Sequence, residues 1–179
     1  MVKAEIVYYE AGGAEHTDTT LSLAQRRFSR GDIKAVVVAS TFGNTALKAV
    51  EVFMGSQTHL IAVGEILPEG KRPDADICAR LEQAGCLVIW GTHLGEMSQV
   101  AQNQAADLIA NSFYRLGQGF KVACEIVLMA ASQGHLALGD KVIAIAGTHR
   151  GADTAVVVSA ASFADFEKFT VNEILCKPN

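Results

Sequence analysis

The stretch "VVVASTFGNTALKAV", residues 36–50, sets Ser40, Thr41, Gly43, Asn44 and Thr45 between an apolar, β-branched run and an amphipathic one. The run Ile33 to Ala39 has the pattern of a strand buried on both faces, and Leu47, Val50 and Phe53 follow at helical spacing. The hydroxyl and amide residues therefore stand at the carboxyl end of a strand and the N-terminus of a helix. Unpaired backbone N–H groups and the helix dipole at such a place favour an anion, and phosphate is the natural guest. Gly43 lets the backbone approach closely, while the Ser40, Thr41 and Thr45 hydroxyls and the Asn44 amide add donors without a competing charge. The same residue types are the preferred helix N-caps, so a plain capping turn reads equally well. The loop is neither a Walker loop nor a GxGxxG fingerprint.

A second group lies in "GTHRGADTAVVV", where Gly147, Thr148, His149, Arg150, Gly151, Asp153 and Thr154 connect two apolar runs. So short a link implies a hairpin-like connection and an antiparallel strand after it. Arg150 has the fork geometry to clamp a phosphate or carboxylate, and Asp153 can accept from a sugar hydroxyl or hold Arg150 in place. A solvated turn with a local Arg–Asp pair is the alternative. In "WGTHLGEMSQ", His93 is placed to hydrogen-bond a ligand or to titrate near neutral pH, though a structural histidine fits as well. Trp90 is the single tryptophan and reads as core or as a stacking surface. Glu125, in the apolar "KVACEIVLMAA", must be paired or reach a polar cavity. Lys121, one turn earlier, is its natural partner, and a ligand contact or general base is the other reading.

The elements that would position these residues alternate. Strands are expected at Ala4–Tyr9, Ile33–Ala39, Leu60–Gly64, Cys86–Trp90, Lys141–Ala146 and Ala155–Ser159. Helices are expected from Thr17–Thr20 to a cap at Gly31, over Ala46–Phe53, over Ile77–Gly85, along a face from Met97 to Phe113, and over Phe120–Ser132. The last of these is apolar nearly all round and should lie between the sheet and another layer. The alternation predicts a mostly parallel sheet with helices on both sides and ligand loops at the carboxyl ends of its strands.

Composition narrows the function classes. The chain has 179 residues, 50% hydrophobic and 19% charged, with a net charge of −4. That length suits one domain with a full core, and the charge lacks the basic excess that nucleic acid demands. No apolar run reaches the roughly 18 residues of a membrane span, and the N-terminus has no signal-peptide pattern, so a cytoplasmic location is expected. Cys78, Cys86, Cys124 and Cys176 are widely spaced and read as reduced core thiols. No His, Cys, Asp and Glu spacing signals a metal, and no nucleophile–base set can be picked out.

The phrases "VVVASTFGNTALKAVEVF", "GFKVACEIVLMAASQG", "AGTHRGADTAVVV" and "VNEILCKP", with "GGAEHTDTTLSLA" near the start, together resemble the stand-alone proteins related to the C-terminal alpha/beta domain of pyruvate kinase. The resemblance runs over nearly all of residues 1–179, read as a single domain. It implies a three-layer α/β/α sandwich with a mixed, mostly parallel sheet whose last strand is antiparallel. It also implies that the loop Ser40–Thr45 is of the kind that receives the phosphate of a sugar-phosphate effector. Pyruvate kinase activity is not implied, because phosphoryl transfer there belongs to a barrel that 179 residues cannot contain. Small members of the family resemble flavin mononucleotide (FMN) binders. The expectation is thus a binding protein for a phosphorylated small molecule, FMN first, with Ser40–Thr45 on the phosphate and Gly147–Thr154 and His93 around the rest. A flavin-dependent oxidoreductase, or an enzyme acting on a sugar phosphate with His93 or Glu125 as acid/base, is the alternative. A self-associating structural module is a third, and a homo-oligomer is compatible with each.

Overall fold

The computed structural model describes residues 4–56, 58–66, 75–91 and 107–179. Seven strands make one sheet: β1 (Val7–Tyr9), β2 (Ala35–Ala39), β3 (His59–Glu65), β4 (Leu87–Gly91), β5 (Lys141–Ala146), β6 (Thr154–Ser159) and β7 (Thr170–Pro178). Their spatial order is β1-β7-β6-β5-β2-β3-β4. The pairs β2/β3, β2/β5, β3/β4 and β1/β7 are parallel, whereas β6 is antiparallel to both β5 and β7. The hairpin-like link is real: Ala146 faces Thr154 across it.

The helices are α1 (Thr17–Phe28), α2 (Asn44–Phe53), α3 (Ala75–Gln83), α4 (helical at 107–114) and α5 (Gln118–Ser132). The β-branched run of β2 explains the layering, because successive strand side chains point to opposite faces. Val36 and Val38 pack with Leu21 and Ala24 of α1, Ala46 and Ala49 of α2 and Leu81 of α3. Ala35 and Val37 join the opposite core, built on Phe120, Ala123, Val127 and Leu128 of α5. α5 has apolar contacts on its far side too: Phe113 of α4 meets both Phe120 and Phe166 edge-on. An apolar helix with no polar stripe is stable only when enclosed in this way.

Two elements differ from the sequence-based expectation. β1 is shorter than Ala4–Tyr9, since only Val7, Tyr8 and Tyr9 find partners on β7. β7 itself is not anticipated as a strand. Its register against β6 shifts between Ala155 and Val156 and again between Val157 and Val158, and such bulges break the alternation by which strands are recognised. The helical face expected from Met97 begins outside the described residues, which pick it up at 107. Among the described residues no helix is long and apolar enough to cross a membrane.

Candidate functional site

β2 leads through α2 to β3 on one side, while β5 leads to β6 on the other, so winding reverses between the adjacent strands β2 and β5. Open α/β sheets bind ligands outside the carboxyl ends of strands at such a point. A cleft of about 600 Å³ lies there, lined by residues that include Ser40, Thr41, Asn44, Thr45, Gly147, Arg150 and Gly151. The two loops singled out in the sequence, about a hundred residues apart, thus become facing walls of one cleft. A smaller crevice of about 180 Å³, lined by Phe53, Met54, Ser56, Thr58 and Leu60, lies at the other end of α2 and brings no charged group.

In the first wall, Gly43 is the N-cap of α2 at φ 84, a left-handed conformation that glycine adopts without steric cost. Gly43 has no side chain with which to cap. The Ser40 hydroxyl serves instead, accepting from the N–H of Ala46 at 3.1 Å. One reading of Ser40 was a helix cap and the other a ligand donor; its oxygen does the first and its proton is left for the second. The N–H groups of Asn44 and Thr45 have no hydrogen bond among the described residues. Both residues line the cleft, Asn44 with an exposed side chain.

The second wall is the loop after β5. It carries His149 at φ 65 and the exposed Arg150, for which no ion-pair partner occurs among the described residues. Gly151, at φ 72, presses against the 3-10 turn Ala14–His16 that leads into α1, so closely that a Cβ there would lie 2.6 Å from Ala14 Cα. The Thr17 hydroxyl locks this contact, donating to Ala14 O at 2.6 Å and accepting from the Ala152 N–H at 3.0 Å. Asp153 and Thr154 take a different place from the one expected. Both are 0% exposed, and the Asp153 carboxylate accepts from the N–H of Gly13 and of Thr148 and from the Thr154 hydroxyl, so it holds neither a ligand nor Arg150. Thr148 reaches that carboxylate through its backbone.

The cleft also draws on His149 of the second group and on residues that sequence reasoning did not select: Thr17, Lys48, Glu65 and Gln118. Lys48 had a usable signal, being one turn beyond Asn44 on the same face of α2. Its Nζ meets Asp18 Oδ1 at 2.6 Å. Thr17 and Gln118 begin α1 and α5, so with Asn44 three helix N-termini face one cleft. Glu65 adds a carboxylate at the end of β3.

The remaining candidates fall elsewhere. His93 lies outside the described residues. Glu125 is 0% exposed and pairs with Lys121, Oε2 to Nζ 2.7 Å, which is the ion-pair reading of the sequence rather than the acid/base one. Trp90 packs its ring against Gly64, where a Cβ would come within 2.9 Å of Cη2, so its role is in the fold. Burial pushes the Cys86 thiol up to about 11 and the Cys124 thiol up to about 12, which keeps both protonated and unreactive. Among the described residues no group of three or more His, Cys, Asp and Glu could hold a metal ion. The family model described as pyruvate kinase, alpha/beta domain, matches residues 18–158 of the chain.

Proposed function

This chain belongs to the pyruvate kinase alpha/beta domain family, and from that premise we propose that it is a binding protein for a phosphorylated small molecule, with FMN as the best candidate. The observation that carries the proposal is the meeting of open donors with cationic side chains in one cleft, Arg150 among them without an ion-pair partner among the described residues. The unpaired N–H groups of Asn44 and Thr45 stand at a helix N-terminus, and Lys48 and Arg150 line the same cleft.

The donor set suits a phosphate monoester. The Asn44 and Thr45 N–H groups and the Thr41 hydroxyl would hold the phosphate oxygens, and Arg150 would close on them from the opposite wall. The cleft volume of about 600 Å³ falls within the usual range for small-molecule sites, which leaves room for a body as large as a flavin. Val122 and Phe42 supply apolar surface for such a body, and Glu65 and Gln118 supply hydrogen-bonding groups. A bound flavin would bring one- and two-electron chemistry of its own. The chain's own part in this reading is to bind and orient.

Titration of the purified protein with FMN, followed by quenching of flavin fluorescence, tests this. Asn44→Asp introduces an acid at the first turn of α2, where it suits the helix dipole, but sets a negative charge against the phosphate. Asn44→Asp and Arg150→Ala should each weaken FMN binding by roughly ten-fold or more, the usual worth of a hydrogen bond to a charged group, with unchanged melting temperature. Wild-type affinity in both variants would remove the phosphate from this cleft.

A further inference from the structure

Asp153 is a carboxylate at 0% exposure with no cationic side chain paired to it among the described residues. Buried charges without a counter-ion are costly, and they persist where several donors satisfy them. Here Oδ2 accepts from the Gly13 N–H at 3.1 Å and the Thr148 N–H at 2.9 Å, and Oδ1 accepts from the Thr154 hydroxyl at 2.8 Å. The packing around it is as tight as the bonding. A Cβ on Gly12 would lie 2.9 Å from Oδ2, and one on Gly119, in the first turn of α5, would lie 2.8 Å from Oδ1. Three segments that border the cleft therefore meet on this one side chain: the chain after β1, the loop after β5, and the start of α5.

We propose that Asp153 is a positioning residue for the cleft, a buried tie that fixes the loop carrying His149 and Arg150 against the chain entering α1. Without it the loop after β5 would keep, among the described residues, one hydrogen bond to α1, from the Ala152 N–H to the Thr17 hydroxyl, beside the packing of Gly151 on Ala14 and Thr17. Arg150 would then lose its set distance from the N-terminus of α2. The role is one of accepting hydrogen bonds rather than of charge. An asparagine amide can place its oxygen on the Gly13 and Thr148 N–H groups and donate its NH2 to the Thr154 hydroxyl oxygen, reproducing all three links without the charge. The effect on affinity rests on the anion-binding reading of the cleft; the tie itself does not.

The experiment compares Asp153→Asn with Asp153→Ala by amide hydrogen exchange on the ligand-free protein and by FMN titration. In Asp153→Ala the Gly13 and Thr148 amides should exchange at least about ten-fold faster, with β2 and β3 protected as in wild type, and FMN affinity should fall about ten-fold. In Asp153→Asn both readouts should stay within about three-fold of wild type. Thr154→Val, which deletes only the donor to Oδ1, should loosen the same two amides less and guards against an alanine variant that does not fold. Unchanged exchange at Gly13 and Thr148 in Asp153→Ala and Thr154→Val would overturn the tie, as would equal loss in the asparagine and alanine variants. Faster exchange with undiminished FMN affinity would overturn the positioning role. A wild-type protein that binds neither FMN nor inorganic phosphate would fail the reading of the cleft instead, and the exchange measurements would then decide the tie on their own.

Discussion

Glu125 and Lys121 show how burial settles what a sequence leaves open. An acid four residues after a lysine on an apolar helix can be a pair or a proton carrier, and the spacing is the same for both. Their side chains are 0% and 8% exposed with 2.7 Å between charges, and Lys121 also stands over the Tyr114 ring at 5.4 Å, so α5 keeps both charges for its own stability. Lys121→Met should cost about 3 kcal/mol or more in urea unfolding, because it takes the paired cation away from a buried carboxylate, while FMN affinity holds. A change below about 0.5 kcal/mol would mean that the pair is not the partnership of Glu125. Ser40 was legible only as a choice, since the atoms that cap a helix and those that bind an anion are the same. Asp153 was picked out as a candidate, but its role as a tie was not legible: one partner, Gly13, lies 140 residues away, and local spacing says nothing about so distant a contact.

At the scale of elements, the strand–loop–helix unit from β2 to α2 was readable because each part has a local cause. A β-branched run makes the buried strand, Gly43 supplies the left-handed turn, and apolar residues at helical spacing make α2. Gly43→Ala tests the turn: a Cβ at φ 84 should cost about 1–2 kcal/mol in unfolding free energy and displace the Asn44 and Thr45 N–H groups, weakening FMN binding. Equal stability and affinity in that variant would show that the turn is not what sets the donors. β7 was hidden because its bulged register against β6 spoils the alternation, and β1 was overestimated because its extent depends on how much of β7 it meets. Both are tertiary facts, which a local pattern does not contain.

Across the whole molecule, the end remote from the cleft is held by charge. Arg27, 5% exposed, bonds Asp32 and Glu173 together, Asp32 also takes Lys141, and Arg30 stands 3.9 Å from Glu173, which joins α1 to β5 and β7. Hydrogen bonds from Arg27 first, and from Lys141 second for Asp32, hold both carboxyls below the usual carboxylate range. A carboxyl depressed in the fold lends stability above its unfolded value near 4 and loses it as pH falls through the folded one. Unfolding free energy should therefore decline as pH drops below about 4, and Asp32→Asn should flatten that decline in urea titrations across pH while lowering stability at pH 7. An identical pH profile in the variant would take Asp32 out of the linkage. The cleft stands apart from this network, at the opposite ends of the same strands, which lets binding be measured without disturbing the frame. The most direct measurement is the ratio of FMN to riboflavin affinity in the wild-type protein, since the two ligands share the flavin body and differ by the phosphate. Donors at Asn44 and Thr45 with Arg150 opposite predict FMN tighter by about a hundred-fold, with inorganic phosphate competing; equal affinities, or binding of neither, would contradict a phosphate site at the start of α2.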